Sequence, residues 1–199
     1  MTSAQFTGAG ITIQVGASAA RPAEQFHPNL TSVPSADQVL AGLVDGAGGR
    51  PVLVATRGLP GCGKTRWAQT WQIRLTGHGL TVSRISRDDV RAALGLNPAT
   101  TTPQQEVEVT LEHHARIRAA LTGGSDVVLV DDTHLQEDHL AATLAVARAC
   151  GAQVAVADLR HVPLDVCIRR DATRTGRAHV GAERIRTLAA AGQPRVVTS

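Results

Sequence analysis

The chain has 199 residues, 43% hydrophobic and 19% charged, enough for one ordinary domain with a sizeable core and some length to spare. Its 20 basic residues are 19 arginines and one lysine, Lys64, against 17 acidic residues, a net charge of +3. No apolar run approaches the roughly 18 residues of a membrane helix, no charged and then apolar leader is present, and Cys62, Cys150 and Cys167 lie far apart. A cytoplasmic protein is therefore expected, with no membrane partner, disulfide framework or thiolate zinc site. Residues 160–199 hold eight arginines against Asp165, Asp171 and Glu183, a balance of +5 that suits nucleic acid or a nucleoside triphosphate. The aromatic residues are Phe6, Phe26, Trp67 and Trp71, so the C-terminal half offers no stacking platform for single-stranded bases.

In chain order, residues 1–50 read as a mobile N-terminal arm, with a short alternating run (Ile11, Ile13, Val15) and a possible short helix. Ser35 and Gln38 have capping-box spacing, and Val39, Leu40, Leu43 and Val44 supply an apolar face before the break at Gly46 to Gly49. Residues 51–199 read as one domain. PVLVATR is a buried strand, and Trp67, Ala68, Trp71 and Leu75 then recur at helical spacing until Gly77 and Gly79. LTVSRIS (80–86) is the next strand. Thr102, Pro103 and Gln105 supply an N-cap, an N1 proline and an N3 partner for a helix carrying Val107, Leu111, Ile117 and Leu121. DVVLVDD (126–132) is a strand, Leu140, Leu144 and Ala147 line the next helix, and QVAVADL (153–159) is another strand. One helix opens near Pro163 and a last one spans about Glu183 to Ala191. Strands and helices alternating at these lengths predict an α/β fold, a parallel sheet covered by helices on both faces with right-handed crossovers.

The strongest chemical signal is GLPGCGKT, Gly58 to Thr65, which matches G-x-x-x-x-G-K-[ST] between a strand and a helix. Gly58, Gly61, Cys62 and Gly63 would turn backbone N–H groups around the phosphates of ATP, at the positive end of the following helix. Lys64 would reach the β and γ phosphates and Thr65 would offer its hydroxyl to Mg²⁺. DVVLVDDTHL delivers carboxylates at a strand end beside that loop, as a Mg²⁺·ATP site requires; Asp132 or Asp131 would serve, with Asp132 taken as the metal residue. In SRDDVR, Ser86 and Asp89 have capping-box spacing, while Asp88 and Arg91 share a helical face, placing a carboxylate able to accept a hydroxyl proton beside a guanidinium able to hold a phosphate. In CIRRDATRTGR, Arg170 and Arg174 share a face and Arg177 lies in the loop that follows, suited to an arginine-rich lid closing over a triphosphate. His113 and His114 are adjacent and point to different sides of a helix, and His134 and His139 share no face, so no metal set beyond Mg²⁺ is expected.

GLPGCGKT, RDDVR, VLVDDTH and RRDATRTGR, in that order over roughly residues 51 to 191, resemble the P-loop kinase domain of the phage-type polynucleotide 5′-hydroxyl kinases. The resemblance implies that Asp88 is the general base, that Arg91 positions the acceptor and that Arg174 contacts the nucleotide phosphates, with Lys64 and Arg174 completing the catalytic set. The family's usual D-T-N is Asp132-Thr133-His134 here, and Cys62 stands where its loop usually has Ser. No D-x-D-G-T signature occurs, so the phosphatase half often fused to such kinases is not expected. The expected activity is transfer of the γ-phosphoryl group of ATP to the 5′-hydroxyl of a DNA or RNA end. The alternatives are a kinase of the same fold acting on a hydroxymethylated base, a nucleoside or another small molecule, and a nucleotide-binding regulatory ATPase.

Overall fold

Strand β1, Val52–Arg57, is buried along its whole length. Its alternate side chains feed two different cores, as a strand covered on both faces must. The computed structural model describes residues 35–44, 49–98 and 100–191, without the side chains of Val44 and Arg177. The other elements are α1 (Ala36–Val44), α2 (Lys64–Gly77), β2 (Val82–Ile85), α3 (Arg87–Ala93), α4 (Pro103–Thr122), β3 (Val127–Val130), α5 (Glu137–Ala149), β4 (Gln153–Asp158), α6 (Leu164–Ala172) and α7 (Ala182–Ala191), with a 3-10 turn at Gly176–Ala178. The expected run Ile11, Ile13, Val15 and most of the proposed arm lie outside the described residues.

All strand pairs are parallel, in the order β2-β3-β1-β4, with Val52 opposite both Val127 and Gln153 and Ile85 opposite Val130. Leu53, Ala55, Val128 and Val130 pack against Ile117 and Leu121 of α4 and Leu140 and Leu144 of α5. Val52, Val54, Val127 and Leu129 face the other way, onto Leu40 of α1 and Ala68 and Leu75 of α2. The expected parallel sheet with helices on both faces is therefore present. The chain leaves β1 over one face and β3 over the other, which opens a crevice at the C-terminal ends of these two neighbouring strands.

Two expectations need adjusting. The short helix before Val44 is present as α1, but it packs on the sheet: Leu40 is fully buried, Ser35 bridges Val156 of β4, and Asp37 accepts from the indole N–H of Trp67 (3.3 Å) and Trp71 (3.0 Å). In α4 the N-cap, N1 proline and capping box form as expected, but Val107 and Leu111 are 53% and 64% exposed. The buried stripe is Val109, His113, Ile117 and Leu121, one residue every four, and it includes a histidine that hydrophobic periodicity does not count.

Candidate active site

The loop after β1 turns through Gly61 and Gly63 at φ of 84° and 107°, values that favour glycine. A Cβ on Gly61 would lie 2.2 Å from the carbonyl oxygen of Cys167, so the loop packs directly on the backbone of α6. Helix α2 begins at Lys64, whose buried ammonium donates to the carbonyls of Gly58 (3.0 Å) and Leu59 (2.8 Å). The loop glycines, Cys62 and Lys64 thus come together as the spacing implied.

Asp131 and Asp132 follow β3 with opposite fates. Asp131 is within hydrogen-bonding reach of the Thr65 hydroxyl and accepts from Arg84 Nη1 at 2.9 Å. Burial raises its pKa, opposed by Thr65, Arg84 and Lys64. Asp132, the expected metal residue, turns the other way: Oδ1 accepts from the backbone N–H of Arg87 at 2.9 Å and Oδ2 lies 3.0 Å from His113 Nε2. Burial pushes the Asp132 pKa up, but His113, His134 and the Arg87 amide outweigh it and hold the carboxyl below its ordinary value. The Asp132 carboxylate thus points toward α3 and α4 while Asp131 stands beside Thr65, because successive side chains leaving a strand point to opposite sides. Thr65 and Asp131, a hydroxyl and a carboxylate side by side, form a hard-oxygen pair of the kind magnesium takes. Among the described residues there is no cluster of three or more His, Cys, Asp or Glu that could hold a metal ion.

Across the crevice, Ser86 caps α3 by accepting from the Asp89 amide, so the capping reading of S-R-D-D holds together with the placement of Asp88. Asp88 is 85% exposed and accepts from Arg91 Nη1 at 2.8 Å. The rest of Arg91 is taken by Glu106 of α4, which accepts from Nε and Nη2 at 2.9 Å each and from Arg87 Nη2 at 2.8 Å. These bonds to Arg91, against burial and aided by Arg87, hold the Glu106 pKa at about 2. Arg91 therefore clamps α3 to α4 and orients Asp88. Arg84, at the end of β2, donates to Asp131 and, at 3.1 Å through Nη2, to Asp89. Glu106 and Arg84 carry no motif signal: Glu106 meets Arg91 only through the packing of α3 on α4, and Arg84 lies in an ordinary strand pattern.

On the lid side, Arg170 Nη1 reaches the Cys62 carbonyl at 3.4 Å, and Arg174 lies 3.9 Å from buried Asp171. Asp171 in turn accepts from the amides of Val180 (3.1 Å) and Gly181 (2.8 Å), pinning the segment that follows α6. The side chain of Arg177, expected in the lid, lies outside the described residues. Gly61, Gly63, Thr70, Trp71, Arg170 and Arg174 line a cleft of about 570 Å³ that opens beside the phosphate loop. A larger cleft of about 750 Å³ lies beside α1 and the ends of β1 and β4, away from the phosphate loop; Lys64, Thr65, Asp88 and Asp131 line neither cleft.

Residues 53–194 match the family model described as an AAA domain. A chain of the Pnkp1/Rnl/Hen1 RNA repair complex shares the fold with a TM-score of 0.58 and 20% identity over 71% of this chain and 44% of that one. The Mycobacterium tuberculosis APS kinase CysC, in complex with AMPPNP and APS, does so with a TM-score of 0.53 and 23% identity over 62% and 70% of the two chains. The chain thus spans less than half of the RNA repair protein it resembles. No curated protein matches it. Among the described residues no helix is long and apolar enough to cross a membrane.

Proposed function

The chain belongs to the AAA domain family of P-loop proteins, and on that premise we propose that it is a phosphotransferase moving the γ-phosphoryl group of ATP to a hydroxyl, foremost the 5′-hydroxyl of a polynucleotide. The observation that carries this reading is Arg84. One guanidinium bonds both Asp131, beside Thr65 and Lys64, and Asp89 of α3, so the helix that carries the exposed Asp88 is tied to the carboxylate next to the phosphate loop. An ATPase that only hydrolyses its nucleotide has no need of this second half.

In the proposed reaction the loop amides and Lys64 bind the triphosphate, with Arg170 and Arg174 over it. The acceptor oxygen forms a bond to the γ phosphorus as the bond to the β,γ-bridging oxygen breaks, and the hydroxyl proton passes to Asp88. Thr65 and Asp131 are the residues that would hold magnesium, which when bound neutralises charge on the β and γ oxygens. Arg91 fixes Asp88 in place. Positioning and electrostatics supply nearly all of the rate in such a transfer.

The second reading, a small or uncharged acceptor, is favoured by the partners of Arg91: Glu106 and Asp88 already take three of its five N–H groups and offset its charge, which weakens it as a site for an acceptor phosphate. Incubation with γ-labelled ATP and Mg²⁺ against 5′-hydroxyl DNA and RNA oligonucleotides, modified-base duplexes and nucleosides tests both. Label on oligonucleotide ends, with acceptor affinity falling steeply as salt rises, supports the first reading; label on a nucleoside with little salt effect supports the second. ATP consumption with no labelled acceptor would overturn both in favour of a regulatory ATPase.

A further inference from the structure

We infer that His113 is a positioning residue, which by holding Asp132 sets where helix α3, and with it Asp88, stands against the phosphate loop. The inference rests on the phosphoryl transfer proposed above and adds a residue with no motif and no contact to the reacting atoms. Asp132 is a hub between three elements. Its backbone N–H donates to Thr56 Oγ1 (3.1 Å) and its carbonyl accepts from the same hydroxyl (2.9 Å), which ties it to β1 two residues before the first loop glycine. Its Oδ1 takes the first amide of α3, and its Oδ2 meets His113 of α4. A buried carboxylate is tolerated only when its oxygens are held, since an uncompensated one is strongly destabilising.

His113 is 1% exposed, and among the described residues neither its Nδ1 nor its Nε2 has a well-aligned hydrogen-bond partner, so the 3.0 Å approach of Nε2 to Asp132 Oδ2 holds by charge and proximity. The ring nitrogen that meets a charge is the one 3.0 Å from Asp132. The polar ring buried in the core stripe of α4 has His114 and His134 in its neighbourhood, and its ion-pair contact is with the carboxylate that fixes α3. Helix α3 has seven residues, too few to hold itself by its own hydrogen bonds, so its location depends on its anchors. Glu106 ties it to α4 and Arg84 ties it to Asp131. Asp132 ties its first turn to β1, the strand that carries the phosphate loop. Loosening Asp132 leaves the ATP side intact while displacing the acceptor side.

The test compares His113→Leu, which fills the space without a donor, with His113→Gln, whose side-chain amide can reach the position of Nε2. Three quantities are read: kcat with the best acceptor of the panel, the ATP dissociation constant from tryptophan fluorescence, and amide hydrogen exchange. The Leu variant should lose at least about tenfold in kcat, keep ATP affinity within about twofold, and exchange the amides of residues 87–90 at least about tenfold faster, with β1 and β3 unchanged. The Gln variant should stay within about threefold of wild type in all three. If the Leu variant does not fold, His113→Asn, polar but too short to reach Asp132, takes its place with the same expectation. Wild-type exchange and turnover in the Leu variant would overturn the inference, as would equal losses in Leu and Gln. If the wild type labels no acceptor at all, the kinase reading fails, while the exchange at 87–90 still decides the role of His113.

Discussion

Asp131 and Asp132 are neighbours in sequence, yet one meets Thr65 and Arg84 and the other the Arg87 amide and His113. Their substitutions should separate accordingly. Asp131→Asn should lower turnover about a hundredfold or more while leaving the thermal midpoint near wild type, because a carboxyl whose pKa is raised by burial gives the fold little in its ionised form. Steady-state kinetics and calorimetry on one preparation check both halves. Losing Lys64 or the proton acceptor should abolish transfer and spare the fold: Asp88→Asn should cost about 10²–10⁴ in kcat, and a Lys64→Ala or Asp88→Asn protein with near-normal turnover would refute the assignment. His134 sits at φ 40° with Nδ1 2.8 Å from the Thr56 carbonyl oxygen. Histidine is one of the few non-glycine residues enriched at such left-handed positions.

At the scale of elements, α1 and the α3–α4 pair carry the predictions. Leu40 is fully buried, so Leu40→Ala should cost about 2–5 kcal/mol in a denaturant titration, a loss that an unattached arm would not show. Glu106 links Arg91 and Arg87 to α4. Glu106→Gln should cost about 1 kcal/mol, the pair being partly solvated, and should raise the acceptor KM more than the ATP KM. Neither role could be read from local pattern. Val107 and Leu111 stand four apart on α4, as good an apolar stripe by spacing as Val109, Ile117 and Leu121, and only the packing of α4 on the sheet selects the second. The N-terminus of the same helix was fully legible, because Thr102, Pro103 and Gln105 act within one turn.

At the scale of the molecule, His114 and Glu106 are two contributors to the acid response, with buried His134, its pKa also lowered by desolvation, acting in the same sense as His114. Burial, with His113 and Arg118 adding, lowers the His114 pKa from 6.5 to about 4, so the unfolded chain takes up the proton first and stability falls as pH drops through that window. Glu106, held at about 2 against 4.5, contributes fully above about 4.5 and loses its contribution as pH falls toward 2. Calorimetry from pH 7 downward should show stability declining in two stages, and His114→Gln should reduce the upper one, to which His134 also contributes, without changing the lower. The junction of loop and lid is the other global feature. With a positive φ and a carbonyl 2.2 Å from any Cβ, Gly61→Ala should push α6 from the phosphate loop, weakening ATP binding and costing more than about 1 kcal/mol.

The order of strands and helices, the phosphate loop and the pairing of Asp88 with Arg91 were determined by sequence, because periods of 2 and 3.6, glycine chemistry and i, i+3 spacing act over a few residues. Tertiary structure alone decided which of two adjacent aspartates faces Thr65, that Glu106 binds Arg91 from 15 positions away, that α1 belongs to the core, and that His113 meets Asp132. These depend on how a side chain leaves the end of a strand and on which distant surfaces meet. Neither quantity has a period that a linear pattern can carry.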